Sequence, residues 1–199
     1  MYYTIAVNDE CYDDDHEDGD PGSLGVVHVQ DALVRKFRKG NRIAIDSVLE
    51  YQAYSGSNNE KYREKYLKLN YLGSIPDLVD LKFKQLMAEY FPNDVQTFPA
   101  IVHANQKKFE GYYALNVINI FDCVDLSKSK TYRMLPNDAN SPLVVSDAFY
   151  KEMEMPPGIS IAMVKNLNGV IAVSQEFVNI CQDANITGID FWQYGKCPW

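Results

Sequence analysis

The sequence predicts an α+β fold: a single domain over residues 1–199, with a mostly antiparallel sheet and packed helices. Three observations carry this. Short runs rich in β-branched and aromatic residues alternate with Gly, Pro and Asn punctuation. Four segments place apolar residues at helical spacing. Short polar turns join neighbouring strands, the connection that antiparallel pairs use. A chain of 199 residues buries roughly 70% of its unfolded surface and needs no disulfide or metal staple.

Tyr2–Val7 is aromatic and β-branched, a first strand, and Asn8–Gly25 is loop. Val26–Gln30 is a second strand; Ala32–Lys39 has weak helical spacing and ends at Gly40-Asn41. Ile43–Tyr54 reads as strand and Ser55–Asn59 as loop. Glu60–Asn70 predicts a helix, with Tyr62, Tyr66 and Leu69 on one face. Pro76-Asp77 opens the next helix, capped by Asp77 or Asp80, and Phe83, Leu86, Met87 and Tyr90 form its apolar stripe. Pro92-Asn93 stops it. Val95–His103 and Tyr112–Phe121 make a hairpin around the polar turn Ala104–Lys108. The second of these is apolar at both parities, which marks a central strand covered on both faces. Leu126–Thr131 is loop and Leu143–Val145 a short strand. Ile159–Val164 and Val170–Val173 are joined by the tight turn Asn166–Gly169. Ser174 caps a helix reaching Asp183 or Ala184, with Phe177, Ile180, Cys181 and Ala184 on its buried stripe. Asn185 is its left-handed C-cap, and Gly188–Tyr194 is the closing strand.

Charge is concentrated. Asp9, Glu10, Asp13, Asp14, Asp15, Glu17, Asp18 and Asp20 put eight acids into twelve residues, and the remaining 19 acids match the 19 bases. The net charge of -8 therefore belongs to segment 9–20 alone. Such an excess argues against nucleic-acid binding, which needs Lys/Arg clusters, and favours a basic partner or a solvated loop. No apolar run approaches the ~20 residues of a membrane span, and the start Met1–Ile5 has neither a basic nor an apolar leader region, so a cytoplasmic protein away from membranes is expected. Cys11, Cys123, Cys181 and Cys197 form no C-x-x-C pair and read as reduced thiols, with Cys181 a small core residue.

Two blocks resemble a known family. Gly111–Asp125, reading GYYALNVINIFDCVD, is similar to the YYxLNVxxxxDxxD strand of a large bacterial family, long described only as a domain of unknown function and now grouped with immunity proteins encoded beside polymorphic toxin genes. Val173–Phe177 and Ala184–Phe191 resemble that family's VSExF and AGITGxxF ending, and Val95–Pro99 fits before the first block. The resemblance covers 83–191; Asn185 stands where the family pattern has Gly. Residues 1–75, with the acidic loop 9–20, fall outside it as a variable half. The resemblance implies neutralisation of a toxin by binding. The matched residues read as scaffold: Tyr113, Leu115 and Val117 pack, Asn116, Asp122 and Asp125 bond to turns or neighbouring backbone, and Gly188 supplies a backbone angle or close approach.

The function expected is an immunity protein that binds a cognate toxin domain with a basic surface and occludes its active site. The contact candidates are Asp13, Asp14, Asp15, Glu17 and Asp18, whose carboxylates can mimic phosphates, together with Tyr51, Tyr54, Trp192 and Tyr194, aromatic residues beside variable segments. No catalytic residue, cofactor or metal is assigned, and a homodimer is allowed. Two alternatives stand. One is a small cytoplasmic enzyme with a non-local His103/Cys123 site, although no H-E-x-x-H, G-x-S-x-G, G-x-G-x-x-G or Walker motif occurs. The other is a calcium module: from Asp14 the spacing puts Gly19 at position 6, but Gly25 stands at position 12, where a bidentate Glu is needed.

Overall fold

The structure is a computed structural model and describes residues 1–7, 25–28, 35–37, 39–54, 67–104, 107–138, 141 and 143–193. Its strands are β1 (Tyr2–Val7), β2 (Gly25–His28), β3 (Leu49–Tyr54), β4 (Tyr71–Leu72), β5 (Ser74–Ile75), β6 (Leu78–Val79), β7 (Val95–Ala104), β8 (Lys107–Val117), β9 (Ile120–Phe121), β10 (Lys130–Arg133), β11 (Leu143–Asp147), β12 (Ile161–Val164), β13 (Ile171–Ser174) and β14 (Ile189–Gln193). Helix α1 spans Leu81–Tyr90 and α2 spans Gln175–Asp183. Residues 35–37 are helical, inside the helix expected over Ala32–Lys39.

Three sheets are described. One has seven strands in the order β4-β6-β8-β7-β3-β2-β5, one has five in the order β14-β1-β13-β12-β9, and β10-β11 is a separate ribbon. The fold is thus mainly β, and its two larger sheets are mixed. Pairs β3/β7, β2/β5 and β9/β12 are parallel and the other eight described pairs are antiparallel, so the expected antiparallel majority is present, but in mixed sheets with few helices rather than in one sheet. Parallel neighbours need long crossovers. Strand β3 reaches β7 only after β4, β5, β6 and α1, and no local pattern in the sequence announces such a pairing.

Strand β8 lies between two cores. Tyr112 and Ala114 face a cluster with Leu49, Tyr51, Leu72, Leu78 and Val102. Leu115 and Val117 face a second cluster, shared with the five-stranded sheet through Ile161, Ile171 and Val173 and with the helices through Phe83, Met87 and Phe177. Two apolar parities therefore serve two different cores, as the alternation of a strand dictates. A register shift between Ala100 and Val102 of β7 lies opposite Gly111, whose φ of 91° suits the bulge.

The apolar run does not continue as one strand to Phe121. Strand β8 ends at Val117, and the chain crosses at Ile118-Asn119 to β9 in the other sheet. The Asn119 amide makes this corner: its Nδ2 donates to the Asp94 carboxylate at 2.8 Å and to the Ile161 carbonyl at 3.3 Å. The expected helix over 60–70 falls partly outside the described residues; 67–70 form a turn that buries Leu67 and Leu69. Pro76-Asp77 does not open α1 directly, because Leu78–Val79 first pairs with β8 as β6. Asp80 is the cap, its carboxylate accepting from the Phe83 N–H at 2.8 Å. Tyr90, expected on the apolar stripe, is exposed at the last turn.

Helix α2 follows its sequence signals closely. Ser174 accepts from the Phe177 N–H at 3.2 Å, and Phe177, Val178 and Cys181 are buried. Its C-terminus is a Schellman motif: Ile186 N–H donates to Cys181 O at 3.0 Å and Asn185 N–H to Gln182 O at 2.9 Å. Asn185, at φ 49°, holds the left-handed position. No described helix is long and apolar enough to cross a membrane.

Candidate functional site

The contact candidates fall at very different places. Asp13, Asp14, Asp15, Glu17, Asp18 and Tyr194 lie outside the described residues, as does most of the calcium-loop spacing. Tyr54 ends β3 opposite Gly25. Trp192 sits half-buried on β14, an edge strand, paired with Thr4. Tyr51 is a correction. It is 0% exposed, in the first core between β2 and β7, and so cannot touch a partner without opening the sheet. Burial, with the Asp77 carboxylate adding, pushes its phenol far above the ordinary range.

The structure does not bring His103 and Cys123 into one site. His103 stands on β7, its Nε2 3.9 Å from a Glu50 carboxylate oxygen. Cys123 is fully buried in a third cluster with Tyr2, Phe121, Val124 and Tyr150. Burial pushes its thiol up to about 11, so the thiolate a nucleophile requires is disfavoured. Among the described residues no group of three or more His, Cys, Asp or Glu side chains could hold a metal ion.

The residues of the two sequence blocks turn out to be joints between elements. Asn116 is fully buried and its Nδ2 donates to the Asn41 carbonyl and the Gln96 side-chain oxygen, both at 3.0 Å. The Tyr112 hydroxyl donates to the Leu67 carbonyl. Asp122 accepts from Lys165 Nζ at 2.6 Å and Lys151 Nζ at 3.1 Å, and these hydrogen bonds hold its carboxyl below the usual range. Asp125 accepts from the Ser127 hydroxyl at 2.6 Å and the Ser127 N–H at 3.1 Å, an Asx turn that likewise lowers its pKa.

At the second block, Thr187 and Gly188 seat the C-terminal part on residues 69–71. Asn70 Oδ1 accepts from the Thr187 N–H at 2.9 Å, and the Tyr71 N–H donates to the Thr187 carbonyl at 3.1 Å. Gly188, at φ 85°, passes so close that an added Cβ would stand 2.2 Å from the Tyr71 carbonyl oxygen. Asn70 also donates to the Asp80 carboxylate at 2.7 Å, so the same clip reaches the α1 cap.

One acid was not singled out by sequence. Asp94 is 5% exposed at the head of β7. Its carboxylate accepts from Ser160 N–H at 2.7 Å, Ile161 N–H at 3.2 Å and Asn119 Nδ2 at 2.8 Å, tying the seven-stranded sheet to the start of β12. Nothing in a lone Asp after Pro92-Asn93 distinguishes such a hub from a turn residue.

The β10-β11 ribbon joins the short strand expected at Leu143–Val145 to a strand, β10, that the sequence did not show. It exposes Tyr132 (55%), Met134 (63%), Leu135 and Leu143. Its far end is held by Arg133 Nη1 donating to the Ser141 carbonyl at 2.8 Å and Leu135 N–H donating to the Ser141 hydroxyl at 2.7 Å. Between β11 and the β12–β13 turn runs a groove of about 700 Å3.

No curated protein matches the chain. An immunity protein family, Imm11, matches over residues 78–196, more than half of the chain and every element from β6 to β14. With the scaffold joints at Asn116, Asp122 and Gly188 inside that span, the chain belongs to the immunity protein family Imm11.

Proposed function

We propose that this protein acts in the cytoplasm as a stoichiometric inhibitor, binding a cognate toxin domain and covering its active site without chemistry of its own. The observation that carries the reading is the confinement of all the net charge, -8, to segment 9–20 of a chain in the immunity family. Asp13, Asp14, Asp15, Glu17 and Asp18 would face a basic surface on the toxin, with Tyr54, Trp192 and Tyr194 as aromatic anchors. Residues 1–77, outside the family match, would carry partner choice, while 78–196 carries the common framework, the whole chain acting as one unit. An interface of roughly 1,200–2,000 Å2 suffices for tight inhibition when its anchors are well packed.

Co-expression with the toxin domain encoded beside the gene tests this. Cells should survive, and the two proteins should purify together. Reversing Asp13, Asp14, Asp15, Glu17 and Asp18 to Lys should slow association by about tenfold or more at low salt and flatten its salt dependence. Death of co-expressing cells, with no complex in solution, would remove the inhibitor reading. Unchanged association rates would remove the acidic segment from the interface.

A further inference from the structure

Strands β10 and β11 form a sheet of their own, so each has one edge with no strand against it among the described residues. The groove follows β11. Six consecutive residues, Leu143 through Ala148, line it, and Asn166, Leu167 and Asn168 of the β12–β13 turn line it as well. Consecutive side chains of a strand point to opposite faces. A cleft bordered by both parities therefore runs along the strand's edge and not across one face. What that edge offers is a row of main-chain N–H and C=O groups, and the chemistry that satisfies such a row is another extended backbone.

Charge narrows the occupant further. The groove's charged residues, Lys130 and Asp147, are cross-strand partners and cancel, leaving the uncharged Leu143, Val144, Val145 and Ser146 of β11 and Asn166, Leu167 and Asn168 of the turn along its length. This cleft of no net charge, part apolar and part polar, belongs to a protein of net charge -8. A second copy would bring the same charge and its own β12–β13 turn to the cleft, so long-range repulsion and shape both count against it. An uncharged segment of a protein drawn in by the acidic region meets neither obstacle. We propose that the open edge of β11 receives an extended, uncharged segment of the cognate toxin domain as an added strand. This rests on the toxin-binding reading above. Five residues of β11 span about 17 Å, so the added strand is about five residues long, with apolar side chains at alternate positions. Met134, exposed just past β10 and lining the groove, supplies an anchor beside it.

Amide hydrogen exchange on the full-length protein, with and without the purified toxin domain encoded beside its gene, tests the proposal. The amides of 143–147 should slow at least tenfold in the complex. Val144→Lys and Leu167→Lys should each weaken binding tenfold or more, while Leu126→Lys, at an exposed apolar residue that does not line the groove, should leave it within twofold. A complex that forms with 143–147 exchanging as in the unbound protein overturns the added strand and leaves toxin binding intact. Absence of any complex, with no rescue of cells, overturns both. Slowed exchange at 143–147 in concentrated protein alone, together with a dimer mass, names a second copy as the occupant and overturns this one.

Discussion

Asp94→Ala should be among the most destabilising single substitutions in the framework. The carboxylate is 5% exposed and accepts three hydrogen bonds, two from the main chain of Ser160 and Ile161 and one from Asn119. Truncation leaves those donors without their acceptor in a site too enclosed for free hydration. Hydrogen bonds to a charged group contribute about 1.5–3 kcal/mol each, and those sharing one acceptor do not add fully. The expected loss is therefore about 3–5 kcal/mol, a large share of the 5–15 kcal/mol typical of a domain. Asp94→Asn should recover part of it, because one oxygen remains to accept while the new NH2 opposes a donor. Urea denaturation followed by fluorescence and circular dichroism gives both values, with Glu152→Ala, at an exposed loop acid, as a control expected within about 0.5 kcal/mol of wild type. An Asp94→Ala protein that loses less than about 1 kcal/mol would refute the reasoning, since the sheets would then be held at this corner by packing alone.

Gly188→Ala should cost at least about 2 kcal/mol, read as a fall in Tm, because a Cβ would stand 2.2 Å from a backbone oxygen at a φ of 85°. Asp122→Asn should lower stability at pH 7 by less than about 1 kcal/mol, since the Asp122–Lys165 and Asp122–Lys151 pairs are about half exposed. Because the folded state depresses the Asp122 pKa, that contribution is present above the ordinary carboxylate range and disappears as pH falls through the folded value. Urea midpoints of wild type and variant should converge as pH falls below the ordinary carboxylate range and through the depressed folded value. Cys123 and Cys181, with thiols pushed up by burial to about 11 and about 12, should resist iodoacetamide at pH 8 in the native protein and react once it unfolds, as peptide mapping would show.

What the sequence discloses is local. The double apolar parity of Tyr112–Val117 announces a strand between two cores, and that is where β8 lies. Ser174, Phe177 and Asn185 announce α2 with both caps, because capping depends on residues within one turn. What it conceals is pairing over distance. Ile118–Phe121 continues the apolar run of β8, yet the chain leaves the sheet there because Asp94 and Ile161, remote in sequence, hold the Asn119 amide. The β3/β7 register joins residues about fifty positions apart, and nothing in either segment encodes it. Tyr51 is different: it shares the apolar parity of β3 with buried Leu49, Glu50 and Gln52 taking the other face, so its place in the core follows from the local alternation. Of the ribbon, Leu143–Val145 is legible as a strand, while β10 is not, because its exposed Tyr132 and the Met134 and Leu135 that follow it keep no period.

The place of β1 bears on how the molecule comes into being. Strand β1 lies between β13 and β14, elements far along the chain, and pairs with both. During N-terminus-first synthesis Tyr2–Val7 must therefore stay unmatched until β13 and β14 have emerged. Such long-range closure is the slow kind of folding. A fragment cut at the start of the family span would keep the elements from β6 to β14 and lose the rung that joins its last two strands, baring the β13 and β14 edges that β1 covers.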